Sequence, residues 1–308
     1  MLRSCAMLLV AASLIATPFT AMAHDPPDLI IPSVQFPDGS APVIDGNTDD
    51  WAPVPREQYG VVGETLYPVG STTGEGRACE FCEFGGINPS DMQILHLTGW
   101  NDSGNSFYWL TEVFDDIHVT RRNDPGKFFW DDSIEYQFNF AHEAAEDHNQ
   151  NDIVTSVDYN YALPPVDGAY EFYRPLRNLP WLVNGSKWIE LAWTFDGEEF
   201  DGPSTYFYEF RIVPIGQMPN SEEATEDQVV EGDLQEGGIH HWGNMVNDVD
   251  ETDGSFENRE AQWSTAANGG NARALTDVLL APLDPSITWP EAATAVEAQS
   301  WGRIKAQF

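Results

Sequence analysis

The residues best equipped for chemistry are aromatic and acidic, and several stand together. Trp130-Asp131-Asp132-Ser133-Ile134-Glu135 places an indole five positions ahead of a carboxylate. An indole offers a flat, polarizable face to the C–H face of a pyranose, and Asp132 and Glu135 could accept hydrogen bonds from ring hydroxyls. A Trp buries roughly 150–250 Å²; at about 25 cal/mol per Å², covering part of it yields a few kcal/mol, which suits millimolar-to-micromolar binding. The same Trp could equally fill a core or a turn. Asp248-Val249-Asp250-Glu251-Thr252-Asp253-Gly254 is dense in the oxygen ligands that Ca²⁺ takes, but it is not an EF-hand, because Arg259 stands where the twelfth-position acid is required.

Other reactive side chains carry less. Cys79 and Cys82 lack the following His of a haem attachment motif, since Glu83 stands there. A structural zinc would need two further ligands of the same kind, so in an oxidising compartment a small-loop disulfide is expected. His24, His240 and His241 raise a copper reading, in which signal cleavage exposes His24 as a terminal ligand. The rest of the chain has nothing in common with copper monooxygenases. No Ser-His-Asp or Cys-His pattern stands out, and acids are so abundant that a glycosidase pair could be drawn almost anywhere. The expectation is a non-catalytic protein.

The chain that must position these groups is strongly acidic: 14 basic residues face 50 acidic ones, for a formal charge of −36. Such a field repels phosphate backbones and anionic membrane surfaces, so nucleic acid is excluded as a partner. Eleven Trp, ten Tyr and seventeen Phe are far more than a disordered acidic chain carries, so a large core is expected. Arg3, the apolar run Ala6 to Ala16 and Ala21-Met22-Ala23 have the layout of a signal peptide over residues 1–23. The expected location is therefore secreted or periplasmic. No later segment approaches the length of a membrane span.

Short β-like runs follow, over Gln93 to Trp100, Ser106 to Phe114, Ser133 to Phe140, Trp188 to Phe195 and Thr205 to Val213. Tyr206 to Ile212 partly alternates, as a strand with one buried face would. Asn101-Asp102-Ser103-Gly104-Asn105 reads as a hairpin turn. These signals predict an all-β, antiparallel sandwich with long loop insertions at Gly63–Asp91, His142–Asp152 and Ser221–Gly238. The expected division is a Pro-rich extended leader over 24–41, one sandwich domain over 42–285, and a tail over 286–308. The tail carries Trp301, Arg303, Lys305 and Phe308; it either docks on the sandwich or engages a partner.

Val43-Ile44-Asp45-Gly46-Asn47-Thr48-Asp49-Asp50-Trp51 resembles the opening of family 9 carbohydrate-binding modules. Further resemblances come in order: Trp100 with the hairpin to Asp116, Phe129 to Glu135, Tyr208 to Pro214, Asn244 to Asp248, and Gln262-Trp263-Ser264. Together they span about residues 42 to 282. The resemblance implies a jelly-roll-like sandwich that clamps a mono- or oligosaccharide, with Trp130 as one wall, Glu135 in contact, and Trp263 as the opposing wall, or else Trp100 or Trp242. It also implies structural Ca²⁺, for which Asp116, Asp131, Asp248 and Asp250 are the candidate ligands. The chain departs from a lean module in its long acidic and Cys-bearing loops, and in having no second Trp after Trp263. Related sandwiches in respiratory dehydrogenase subunits hold haem b between their sheets, and Met245, His96 and His241 are the candidate axial ligands for that alternative.

Overall fold

The computed structural model describes residues 30–62, 90–119, 132–140, 142, 153–154, 179–197, 202–219, 221, 223–250, 261–264 and 276–290. In chain order these form β1 (Ile30–Gln35), the short helix α1 (Arg56–Tyr59), β2 (Gly60–Val62), β3 (Met92–Asn101), β4 (Ser106–Asp115), β5 (Ser133–Asn139) and β6 (Ile153–Val154). There follow β7 (Ile189–Gly197), β8 (Ser204–Ile212), β9 (Ile215–Pro219), β10 (Val230–Glu231), β11 (Ile239–Asp248), β12 (Ala261–Ser264) and β13 (Thr276–Leu280). The protein is all-β. Among the described residues, no helix is long and apolar enough to cross a membrane.

Ten strands make one sheet that folds over on itself. In one half, β11 lies between β5 on one side and β13 followed by β12 on the other. The other half runs β3-β4-β8-β7, with β2 on the edge of β3. β1 joins the halves, pairing with β13 over Ile30 to Ser33 and with β3 over Val34 and Gln35. Both pairings of β1 are parallel, so the antiparallel expectation holds everywhere in this sheet except at that strand. Strand β1 lies inside the segment expected to be a leader, so from Ile30 onward that segment is part of the sandwich. A small separate sheet holds β10, β9 and β6.

The two halves close on an aromatic core. Trp109 of β4 meets Tyr136 of β5 edge-on at 5.3 Å, and Tyr136 stacks on Phe210 of β8 at 5.0 Å. Such pairs add about 0.5–1.5 kcal/mol each beyond their buried area. A second core covers the outer face of β3, β4 and β8. There Phe36, Trp51, Val54 and Tyr59 pack on Leu97, Tyr108 and Leu110, with Ile287 and Trp289 from the far end of the chain. This second layer explains why β8 alternates only partly: Tyr206, Tyr208, Phe210 and Ile212 face the inner core, while Glu209 on the other face is also fully buried. The first residues of the expected tail dock here, with the Trp289 ring 5.2 Å from Phe36.

Glu209 fastens this outer layer. Its Oε2 accepts from the Gly46 amide at 2.8 Å and the Asp45 amide at 3.3 Å, and its Oε1 from the Trp51 indole N–H at 3.0 Å. The Asp-Gly…Trp run that stood out in the sequence is thus a structural clasp. Gly46 adopts φ +83°, and a Cβ there would come within 3.1 Å of the Trp193 carbonyl. Burial pushes Glu209 up to about 7, against the three N–H groups that favour its ionised form.

Candidate functional site

The end of β4 lies near the end of β11, and acids meet there. Asp115 and Asp116 close β4; Asp248 closes β11, with Asp250 just beyond. Consecutive acids are dealt to two separate clusters. Asp115, Asp132 and Asp248 form a buried trio, and Asp91, Asp116 and Asp250 a half-buried one, with one ligand atom of each residue within 4.8 Å of the others in its trio. Asp132 is anchored at both oxygens: Oδ2 accepts from the Val119 amide, and Oδ1 from the Val249 amide at 2.8 Å. Asp115 accepts from the Ile117 amide at 3.0 Å and the Tyr206 hydroxyl at 3.1 Å. The Asp116 amide donates to the Asp91 carbonyl at 3.0 Å, which ties the second trio together.

The electrostatics of the buried trio are unfavourable for three bare carboxylates. Burial raises Asp132 well above the ordinary range, and the Asp115 and Asp248 charges push it further. Asp115 is raised too, chiefly by burial. Asp116 Oδ1 is buried and, among the described residues, accepts no hydrogen bond. An all-oxygen donor set that resists carrying three uncompensated negative charges fits a hard cation such as Ca²⁺. Asp116, Asp248 and Asp250, expected as Ca²⁺ ligands, fall in these clusters. Their distribution over two trios, and the membership of Asp91, Asp115 and Asp132, were not legible in the sequence. Asp131 lies outside the described residues.

Asp132 was also expected to bond a sugar. It is 0 % exposed with both oxygens engaged, so its place is in the acidic trio and not on a binding surface. Trp100 and Trp242 are likewise corrected as alternative sugar walls. Both are fully buried: Trp100 donates its indole N–H to the Ala281 carbonyl at 2.9 Å, and Trp242 packs against His96 at 5.4 Å.

Trp130, Cys79, Cys82 and His24 lie outside the described residues. Glu135 and Trp263 are placed by backbone register. Glu135 pairs with Met245, Val246 with Trp263, and Ile134 with Val246. Ser133–Glu135, Asn244–Asp248 and Gln262–Ser264, from separate parts of the sequence, therefore run side by side in β5, β11 and β12. They meet at the end of the sheet that carries the buried trio.

The haem alternative meets a filled interior. His96 shares a buried polar cluster with Thr111 at 2.9 Å and Asn244 at 3.3 Å, and burial lowers it to about 3. His241 lies against Asp277 at 3.4 Å. A haem between the sheets would have to displace the Trp109, Tyr136 and Phe210 stack, so the described residues do not fit that group.

No protein-family model matches the sequence, and no curated protein matches it. Two solved structures similar to this one are a family 9 carbohydrate-binding module from Caldicellulosiruptor kristjanssonii in complex with glucose and one in complex with cellotriose. Each is 17% identical to this chain over 84% of its length. The match covers 100% of the glucose-bound chain at a TM-score of 0.43, and 98% of the cellotriose-bound chain at 0.40.

Proposed function

We propose that this chain is an exported, non-catalytic carbohydrate-binding protein of the secreted or periplasmic space, stiffened by calcium and serving carbohydrate catabolism by holding sugar for a separate enzyme or importer. The observation that carries this reading is the convergence of β5, β11 and β12: three segments singled out for their likeness to sugar-binding modules lie on neighbouring strands. The ligand is a mono- or oligosaccharide, for which glucose and short cello-oligosaccharides are the first to test. Trp130, which leads into β5, supplies the stacking face, Glu135 a hydrogen-bond acceptor, and Trp263 the opposing wall. Asp115, Asp132 and Asp248 hold one Ca²⁺ and Asp91, Asp116 and Asp250 a second. These ions fix the loops around the slot and take no part in chemistry. A disulfide between Cys79 and Cys82 belongs to the same picture.

Titration calorimetry against a sugar panel, with Ca²⁺ and then with EDTA, tests it. Saturable heat in the millimolar-to-micromolar range that disappears in Trp130→Ala is the expected result. Absence of heat with every sugar would refute the carbohydrate reading and leave the calcium assignment to stand or fall separately.

A further inference from the structure

At the opposite end of β11 from the acidic trios, three side chains of another chemistry converge. His241 on β11 pairs in register with Asp277 on β13, and with Asn139 on β5. His142, three residues beyond Asn139, comes back over the same spot. Its Nε2 lies 3.1 Å from Asp277 Oδ1, and His241 Nε2 lies 3.4 Å from that same oxygen. The two imidazole rings are 4.5 Å apart, and one ligand atom from each of the three residues falls within 4.8 Å of the others. His142 reaches this position with φ +50°, a left-handed conformation that a residue with a side chain seldom adopts.

From these contacts we infer a binding site for one divalent transition metal of the zinc class, held by His142, His241 and Asp277. The spacing suits it. Nitrogen and oxygen ligands bind Zn²⁺ at about 2.0–2.2 Å, so neighbouring ligand atoms of a tetrahedral ion stand roughly 3.4 Å apart. Two of the three separations already have that size, and the third lies within 4.8 Å. Two imidazoles and one carboxylate select Zn²⁺, Cu²⁺, Ni²⁺ or Fe²⁺ over Ca²⁺, the reverse of the preference of the all-carboxylate trios. His241 is buried, at 1% side-chain exposure, whereas His142 is 32% exposed. The site is therefore anchored on its inner side and open on its outer side, and three protein ligands leave a fourth position for water or a ligand. The competing arrangement is two neutral imidazoles donating to one carboxylate oxygen, with no metal.

The separation from the acidic trios makes the test clean. Seven residue steps along the strand separate His241 from Asp248, roughly 24 Å at 3.4 Å per residue. Untagged protein is stripped with EDTA, saturated with Ca²⁺ to fill the oxygen sites, and titrated with ZnCl₂ by calorimetry. Co²⁺ absorption reports ligand type in parallel. Wild type is expected to take up Zn²⁺ at this site and to give a Co²⁺ spectrum of nitrogen and oxygen ligation. His142→Gly tolerates the left-handed backbone and keeps the fold, and it should lose more than about tenfold in affinity. His142→Cys should restore binding with a new sulfur-to-cobalt band. No Zn²⁺ uptake under Ca²⁺ saturation would overturn the site. So would uptake that His142→Gly leaves unchanged, since the metal would then be held elsewhere, at Cys79 and Cys82 or at His24.

Discussion

Asp248→Asn is the perturbation that most directly tests the acidic end of the sandwich. In the wild type, one oxygen from each of Asp115, Asp132 and Asp248 lies within 4.8 Å of the others. With an effective dielectric of about 20, two charges at that distance repel by roughly 3.5 kcal/mol, so three ionised carboxylates carry about 10 kcal/mol of repulsion. That is comparable to the whole stability of an ordinary domain. The metal-free protein must relieve it by keeping protons, in line with the raised Asp132 and Asp115. These groups hold protons in the folded state at pH values where the unfolded chain has released them. Stability in EDTA should therefore fall as pH rises above about 4, and Ca²⁺ should reverse the loss. At a hundredfold excess over Kd, Ca²⁺ adds about 2.7 kcal/mol per site, or roughly 5–10 °C in Tm at 2–4 °C per kcal/mol. Asp248→Asn removes two of the three repelling pairs. Its Tm in EDTA should rise above that of wild type, its Ca²⁺ shift should shrink, and the bound calcium should drop from two ions to one. Differential scanning calorimetry with atomic emission reads all three. A wild-type Tm indifferent to Ca²⁺ and EDTA, or a variant that still binds two ions, would refute the reasoning.

Other outcomes follow from the outer layer. Trp51→Phe deletes the indole donor to Glu209 and should cost about 1.5–3 kcal/mol, seen as a lower denaturation midpoint with unchanged Ca²⁺ response. Glu209 is raised to about 7, so the folded state keeps its proton after the unfolded chain has lost it. The stability this contributes is complete below about pH 4.5 and fades by up to about 3 kcal/mol as pH climbs through 7; Glu209→Gln should flatten that limb of the stability–pH curve. Gly99→Ala would bring a Cβ within 2.0 Å of the Phe36 ring, and an overpacking penalty of about 1–3 kcal/mol is expected from chemical denaturation.

Much of the inner sandwich was legible because its strands are apolar and bounded by turn residues. The runs expected over Gln93 to Trp100, Ser106 to Phe114, Ser133 to Phe140, Trp188 to Phe195 and Thr205 to Val213 became β3, β4, β5, β7 and β8. The turn at Asn101–Asn105 carries Asn105 at φ +42°. β1 was hidden by Pro32, a residue that argues against a central strand. Each residue of β1 has a strand partner on one side only, so a missing amide is tolerated there. β11 was hidden because both its faces are buried and it carries polar residues inside, among them His241, Asn244, Asn247 and Asp248. Acids could be seen along the chain, but which three come together depends on strand order. Asp91, Asp132 and Asp250 join trios only because the starts of β3 and β5 and the end of β11 come to one place. The His142, His241 and Asp277 group was out of reach for the same reason.

The placement of β1 has a consequence for how the molecule is made. Among the described residues the first strand, β1, pairs through Ile30 with Asp277 of the last, β13, and Phe36 is covered by Trp289. No nascent chain can close this sheet until β13 has been synthesised. Until then, β1 and the edge of β3 that it caps stay unpaired, and the long loop from β1 to β13 must close before their contacts count. Folding should therefore be slow and should finish in one late step. Shortening the chain before β13 should yield an open-edged, aggregation-prone species, not a smaller stable sandwich.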